Sequence, residues 1–312
     1  MFVILVFTAV AAGTGGLRAA DLQQAGKDFW LMSVGVGGRA AGMGNAQCAA
    51  VTDGSAAYWN PAAMLFNRRV EITSMQAKLA SDTDVYTLAS VVQSGDAGRR
   101  ATSAWGVFWS NASAESIPKT TETGSVSPTT DVRPTDYFSY SAHVLGVSMA
   151  SWLAPNVSVG LTVAGSYQNF SLMGHGTGVG VSVTPGLMWM LGPDLAIGGI
   201  VRDVANANWW DTGTTESVLP EIRFGASYAP YPSVVVAGEV RQFVDSRYAM
   251  TFHAGIEYRL WSIIRLRLGM DHDRFSGGCG VYIGNFDVQY AYVGDISEGI
   301  GDSHRVSIGF GI

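Results

Sequence analysis

From residue 68 onward the chain changes character at every second position. Met250, Phe252, Ala254, Ile256, Tyr258 and Leu260 alternate with Thr251, His253, Gly255, Glu257 and Arg259. Ile264, Leu266, Leu268 and Met270 alternate with Arg265, Arg267 and Gly269, and Val306, Ile308, Phe310 and Ile312 with Arg305, Ser307, Gly309 and Gly311. Successive side chains of a β-strand point to opposite faces, so this pattern specifies strands with one apolar face. It predicts fourteen of them, near 68–79, 83–94, 101–112, 137–151, 155–170, 175–191, 194–204, 218–229, 232–242, 248–260, 262–271, 276–283, 285–293 and 303–312. Such lengths suit tilted membrane strands, which need about 9–11 residues.

The alternation leaves open which face meets solvent, and composition decides it. Only 14% of residues are charged, against about a quarter in soluble domains. The polar face is mostly Gly, Ser, Thr and Ala, a poor surface for a soluble sandwich or lipocalin-like barrel. The reverse arrangement, apolar side toward lipid, fits an outer-membrane barrel. The only long apolar run, Met1–Ala12, is too short to span a bilayer. Residues 1–20 read instead as a secretory signal ending at Leu17-Arg18-Ala19-Ala20. Short turns such as Leu153-Ala-Pro-Asn, Leu191-Gly-Pro-Asp and Gly284-Asn alternate with longer links, above all 112–136 and 205–217. Trp152, Tyr231 and Trp261 fall at the short turns, and Trp109, Tyr137, Trp209 and Tyr248 beside the long ones, as two interfacial girdles require. The net charge of −6 argues against a nucleic-acid partner.

Energy sets the register. An arginine facing lipid near the midplane costs about 2–4 kcal/mol, so Arg265 and Arg267 belong in the lumen, with Leu266 and Leu268 in the acyl chains. Arg223, Glu239, Arg241, Glu257 and Arg259 then share that lumen as neighbouring charges of both signs. A bulk-water pore has no need of such pairing; a narrow, plugged interior does.

Catalytic and cofactor signals are weak. Gly35-Val-Gly-Gly-Arg-Ala40 formally fits G-x-G-x-x-A, but no βαβ alternation follows. Asp271-His272-Asp273 reads as a solvated turn, and Cys48 and Cys279 show no metal-ligand spacing. No cofactor and no enzyme active site is expected.

Residues 35–64, GVGGRAAGMGNAQCAAVTDGSAAYWNPAAM, break the pattern: rich in Gly and Ala and almost uncharged. Asp53 is expected to cap one helical turn, and Asn60 a second with Pro61 at its first position. Small residues let such turns pack in a confined space, so residues 21–67 are expected to form a short helical hatch in the lumen of the barrel at 68–312. The blocks Gly38-Arg-Ala-Ala-Gly-Met43-Gly44-Asn-Ala46 and Asp53-Gly-Ser-Ala-Ala-Tyr-Trp-Asn60-Pro61-Ala-Ala-Met64 resemble the N-terminal signature of the PorV/PorQ family, within the superfamily of FadL-like long-chain fatty-acid transporters. Ala63 and Met64 depart from the family's Gly and Leu, and Gly54 from its second acid.

The resemblance implies a bacterial outer-membrane location, membrane lipid around the barrel, and Gly38, Arg39, Met43, Gly44, Asp53, Asn60 and Pro61 as hatch residues. It implies two functions. FadL-like proteins pass hydrophobic small molecules through a hatch-blocked barrel with a lateral opening, whereas PorV-like members serve type IX secretion and would have secretion-system proteins as partners. A structural barrel without transport is a third reading. Passive transport of a fatty-acid-like ligand is the expectation carried forward.

Overall fold

Every predicted strand segment forms strand, and the outward side of the barrel wall is apolar. The computed structural model describes residues 30–79, 83–95, 100–119, 135–171, 176–245, 247–294 and 302–312. The expected leader at 1–20 and the centre of the 112–136 link lie outside them. The first strands are β1 (Val70–Leu79), β2 (Thr83–Ser94), β3 (Ser103–Lys119), β4 (Asp136–Ala154), β5 (Val157–Phe170) and β6 (Thr177–Met190). Then come β7 (Leu195–Arg202), β8 (Ala205–Trp210), β9 (Thr215–Glu216), β10 (Glu221–Tyr231) and β11 (Val234–Phe243). The last are β12 (Thr251–Leu260), β13 (Ile264–Asp271), β14 (Arg274–Ile283), β15 (Phe286–Val293) and β16 (Ser303–Gly311).

β7 and β8 are two halves of one barrel strand, since both pair with β6. β9 and β10 likewise share the next. All pairings are antiparallel, and β16 returns to β1 with Phe310 opposite Ile72. The result is a closed fourteen-stranded barrel. Closure removes the free edge that a sheet in lipid cannot tolerate. The tight turns between β4 and β5, β6 and β7, β10 and β11, β12 and β13, and β14 and β15 gather at one rim. By the usual topology of outer-membrane barrels that rim is periplasmic.

One link differs from the expectation. Residues 205–217 were expected to be loop, yet 205–210 and 215–216 are strand. They carry the barrel wall upward past an irregularity at 203–204. The 112–136 link is also shorter than expected, because β3 runs on to Lys119 around a bulge between Ala114 and Ile117.

Sidedness follows the charge argument. Leu268 is 68% exposed while Arg267, its neighbour, is 2% exposed. The apolar outer band, with Leu88, Trp105, Leu145, Val163, Phe224 and Val288, faces hydrocarbon. The protein is therefore an integral barrel of the bacterial outer membrane. Leu268→Arg is expected to destabilise it by about 2–4 kcal/mol, read as the shift in reversible urea unfolding in lipid vesicles. No loss of stability would contradict the outward placement of this face.

Candidate functional site

The lumen is filled by the segment that interrupts the alternation. Residues 30–67 run inside the barrel as α1 (Trp30–Ser33), α2 (Gly38–Gly42), α3 (Ala56–Trp59) and a 3-10 turn at Pro61–Phe66. Helices this short are not stable alone. Their stability comes from packing, and almost every residue from Leu31 to Leu65 is buried. α2 packs on β13–β16, α3 on β2–β4, and the 3-10 turn on β2–β6.

The two halves of the wall hold this segment by different physics. From β1 to β7 the inward residues are mostly small or apolar, apart from Glu71 and Arg202 near the ends: Met75, Val85, Ala89, Val91, Ala104, Phe108, Ala142, Ala150, Ala164, Met188 and Ala196 cluster with Tyr58, Trp59, Ala62 and Met64. A few hydroxyls add to this packing. Ser148 Oγ donates to Ala57 O and Ser158 Oγ to Ala62 O, both at 2.7 Å. From β10 to β16 the inward residues are charged. Glu257 takes Arg39 Nε at 3.1 Å and Arg267 Nε at 2.7 Å on one carboxylate oxygen, with Arg265 Nη1 at 3.6 Å from the other. Arg39 also donates to Gln47 Oε1 at 3.1 Å and Ala50 O at 2.7 Å. Burial depresses the Arg39 guanidinium, but the Glu257 carboxylate outweighs it and holds its pKa above the ordinary value.

A second cluster lies beside it. Glu221 pairs with Arg223 and, at 3.0 Å, with Arg241. Arg223 also reaches Glu239 at 3.5 Å. Glu239 Oε2 accepts from the backbone N–H of Gln47 at 2.9 Å and of Cys48 at 2.8 Å. Burial pushes the Cys48 thiol well above its ordinary pKa, which keeps it protonated and unreactive. Cys48 is buried against β10 and Cys279 is exposed; both are free. A third cluster joins Asp271 to Asn45 Nδ2 and His253 Nδ1, both at 2.8 Å, and to Arg274 at 3.2 Å.

The expected hatch residues take distinct positions. Gly38 N donates to Ser307 Oγ at 2.9 Å, and Gly44 N to Ser276 Oγ at 3.2 Å. Gly44 has φ +62°, and a Cβ there would stand 2.6 Å from Ala254 O, so only glycine suits that turn. Met43 is fully buried. Asn60 Oδ1 accepts from Ala62 N at 3.0 Å with Pro61 next in line, while its Nδ2 donates to Cys48 O at 2.7 Å and Leu187 O at 3.1 Å. Asp53 differs from the expectation: Ser55 holds the cap position of α3, and Asp53 Oδ1 accepts from Ser55 N. Arg259 joins no ion pair among the described residues and is exposed at the periplasmic mouth.

Sequence reasoning missed Glu221, Asp271, His253, Arg202 and Arg305. Arg202 is 1% exposed and has no carboxylate partner among the described residues. Its Nη1 donates to Met32 O at 2.5 Å, and its Nε and Nη2 meet no acceptor among the described residues. Arg305, also buried, donates to Val34 O at 2.6 Å. Thus two guanidiniums hold carbonyls two residues apart at the start of the inner segment.

Arg202 also marks a break in the wall. Gly186 pairs with Ile200 and Val183 with Ala205, so a three-residue step on β6 faces a five-residue step opposite. Asp203 takes φ 55° there. On the other side, pairing with β10 stops at Arg202–Glu221 and resumes only at Asn208–Glu216. In between, the Asn206 side chain substitutes for the ladder. Its Oδ1 accepts from Val218 N at 2.7 Å, and its Nδ2 donates to Val218 O at 2.9 Å and Asp203 O at 2.8 Å.

The chain is thus a closed, apolar-faced barrel with its own N-terminal segment folded inside. No family model and no curated protein matches the chain. Among solved structures, it is similar to the CymD monoaromatic hydrocarbon channel (12% identity, TM-score 0.66, 89% of this chain and 98% of that one). It is also similar to the Pseudomonas putida toluene transporter TodX (12%, 0.61, 88% and 97%) and to a Pseudomonas aeruginosa FadL homologue (11%, 0.56, 88% and 98%). At these identities the likeness is one of fold, and it extends over nearly the whole of each partner.

Glu257→Gln is expected to destabilise the folded barrel by about 3–5 kcal/mol, because Arg39 and Arg267 would stay buried without a counter-charge. The check is the urea midpoint in detergent micelles. An unchanged midpoint would mean that the ion cluster contributes nothing to seating the segment.

Proposed function

We propose that the protein passively transports hydrophobic small molecules bearing an anionic end, of the fatty-acid type, across the outer membrane. Residues 30–67 act as a hatch that stays seated, and the ligand leaves the lumen sideways through the wall break between β7/β8 and β9/β10. The observation that carries this reading is the coincidence of that break with Arg202, a buried guanidinium with unused donors. A carboxylate fits the Arg202–Arg305 pair better than the peptide carbonyls of Met32 and Val34 do, because hydrogen bonds between ionised groups are roughly twice as strong as neutral ones. An apolar tail then has the small-residue half of the lumen on one side and hydrocarbon beyond the break on the other. Moving from one apolar environment to the other avoids exposing the tail to water, at about 25 cal/mol per Å² of apolar surface. The solved neighbours with hydrocarbon and toluene in their names support a hydrophobic cargo. They supply no support for secretion partners.

Asn206 and Val218 stand opposite one another by extension of the Asn208–Glu216 register, within reach of a disulfide. Oxidised Asn206→Cys/Val218→Cys barrels in liposomes are expected to take up a labelled long-chain fatty acid at least about tenfold more slowly, with recovery on reduction. Arg202→Gln is expected to slow the same uptake about tenfold, equivalent to about 1.4 kcal/mol, while leaving a neutral aromatic hydrocarbon unaffected. Undiminished uptake by the oxidised double variant would overturn the lateral route.

A further inference from the structure

Beside the hatch, on the charged half, a cavity of about 300 Å³ opens at the periplasmic rim. Its walls belong to the turn between β14 and β15, to the start of β1, and to the underside of the inner segment. Its charges are of both signs. Arg259 and Arg265 come from β12 and β13, whereas Asp287 and Glu71 come from β15 and β1; Arg68 also lines it, 3.7 Å from Glu71, as do Arg39 and Asp53 of the inner segment. Tyr282 and Phe66 supply aromatic surface.

Inward-facing glycines make room for the groups that line it. Arg265 pairs with Gly280, and Gly280 with Gln289; the Tyr282 ring and the Arg267 guanidinium cover Gly280, each 3.1 Å from where a Cβ would stand. A Cβ at Gly309 would run into the Asp287 carboxylate, and one at Gly311 into that of Glu71. Gln289 is 3% exposed; its Nε2 donates to Asp287, while its Oε1, buried at the cavity wall, has no partner among the described residues. An acceptor left unsatisfied in this way costs about 1–3 kcal/mol, so it suits a donor that arrives with a ligand. The carboxylates are too dispersed to ligate an ion, and no metal-holding group of three acidic, His or Cys side chains occurs among the described residues.

We propose that this cavity binds a small zwitterion, of the class of a short unblocked peptide, from the periplasmic side. The ammonium lies against Asp287, Glu71 and Gln289 Oε1, and the carboxylate against Arg259 and Arg265. Two strand spacings separate β13 from β15, about 10 Å. An extended dipeptide, at about 3.5 Å per residue with a hydrogen bond of about 3 Å at each end, spans such a gap. A lone cation or a lone anion satisfies only one end of the cavity. The proposal stands apart from the transport reading, because it concerns the opposite side of the hatch and its test measures binding alone.

Isothermal titration of the full-length, detergent-purified barrel with alanyl-phenylalanine tests it. Saturable binding is expected, at least about tenfold weaker for the N-acetylated dipeptide and for the C-terminal amide alike. Asp287→Asn is expected to weaken binding of the free dipeptide while leaving the N-acetylated form unchanged, and Arg259→Gln to weaken the free dipeptide while leaving the amide unchanged. These paired responses separate loss of a contact from misfolding, which would abolish all binding. Absence of binding by the unmodified barrel, or equal affinity for free and blocked dipeptides, would overturn the proposal.

Discussion

One carboxylate joins the hatch to the wall. Glu257 receives the guanidiniums of Arg39 from the inner segment and of Arg267 from β13 on the same oxygen, and faces Arg265 with the other. Each of these groups is costly to bury alone, since an unpaired ion loses its hydration with nothing in return. Glu257 offsets part of the charge of the three guanidiniums and fixes Arg39, whose other donors tie down Gln47 and Ala50. The turn carrying Gln47 and Cys48 then meets Glu239, and Glu239 meets Arg223. The position of the inner segment thus depends on a chain of charged contacts that starts at Glu257.

The opposite half of the lumen makes no ion pair to the inner segment among the described residues. There the segment rests on Ala, Val, Met and Phe through close packing, a few hydroxyl bonds, the Asn60–Leu187 contact and the hydrogen bond from Arg202 to Met32 O. This asymmetry bears on how a ligand can pass. Lifting the inner segment would separate the buried Arg39–Glu257 ion pair, at about 3–5 kcal/mol when one partner is removed, together with the hydrogen bonds of Glu239 to Gln47 N and Cys48 N and of Asp271 to Asn45, each about 1.5–3 kcal/mol for a charged acceptor. Opening the wall at Asn206 would break its three side-chain hydrogen bonds to Val218 N, Val218 O and Ser217 Oγ, each contributing about 0.5–1.5 kcal/mol net. The wall is the weaker element.

Much of the barrel was legible because a membrane strand carries its own instructions. The Leu266–Arg267–Leu268 alternation specifies both strand and sidedness, and the energy of an arginine in lipid chooses which side is which. The lumenal placement of Arg223, Glu239, Glu257, Arg265 and Arg267 follows from phase alone. The 205–217 region was not legible as strand. Leu195–Val201 is apolar on both faces, so it offers no phase to extend through Arg202, and Asp203 interrupts the strand before Ala205. Asp271 was read as part of a turn although it continues the phase of Arg265, Arg267 and Gly269 into the lumen. Which charges find partners is a matter of tertiary distance. Arg202 and Arg305 differ from Arg223 only in what the folded chain brings to them.

If the wall is the exit, the hatch remains seated while ligand passes. Gly38 and Ser307 are placed to test this, since a Cβ on Gly38 would stand 3.0 Å from Ser307 Oγ, a separation suited to a disulfide between cysteines at the two positions. Fatty-acid uptake into liposomes by the oxidised Gly38→Cys/Ser307→Cys barrel should equal uptake by its reduced form. Uptake abolished on oxidation and restored on reduction would contradict the lateral route and identify the hatch as the moving part.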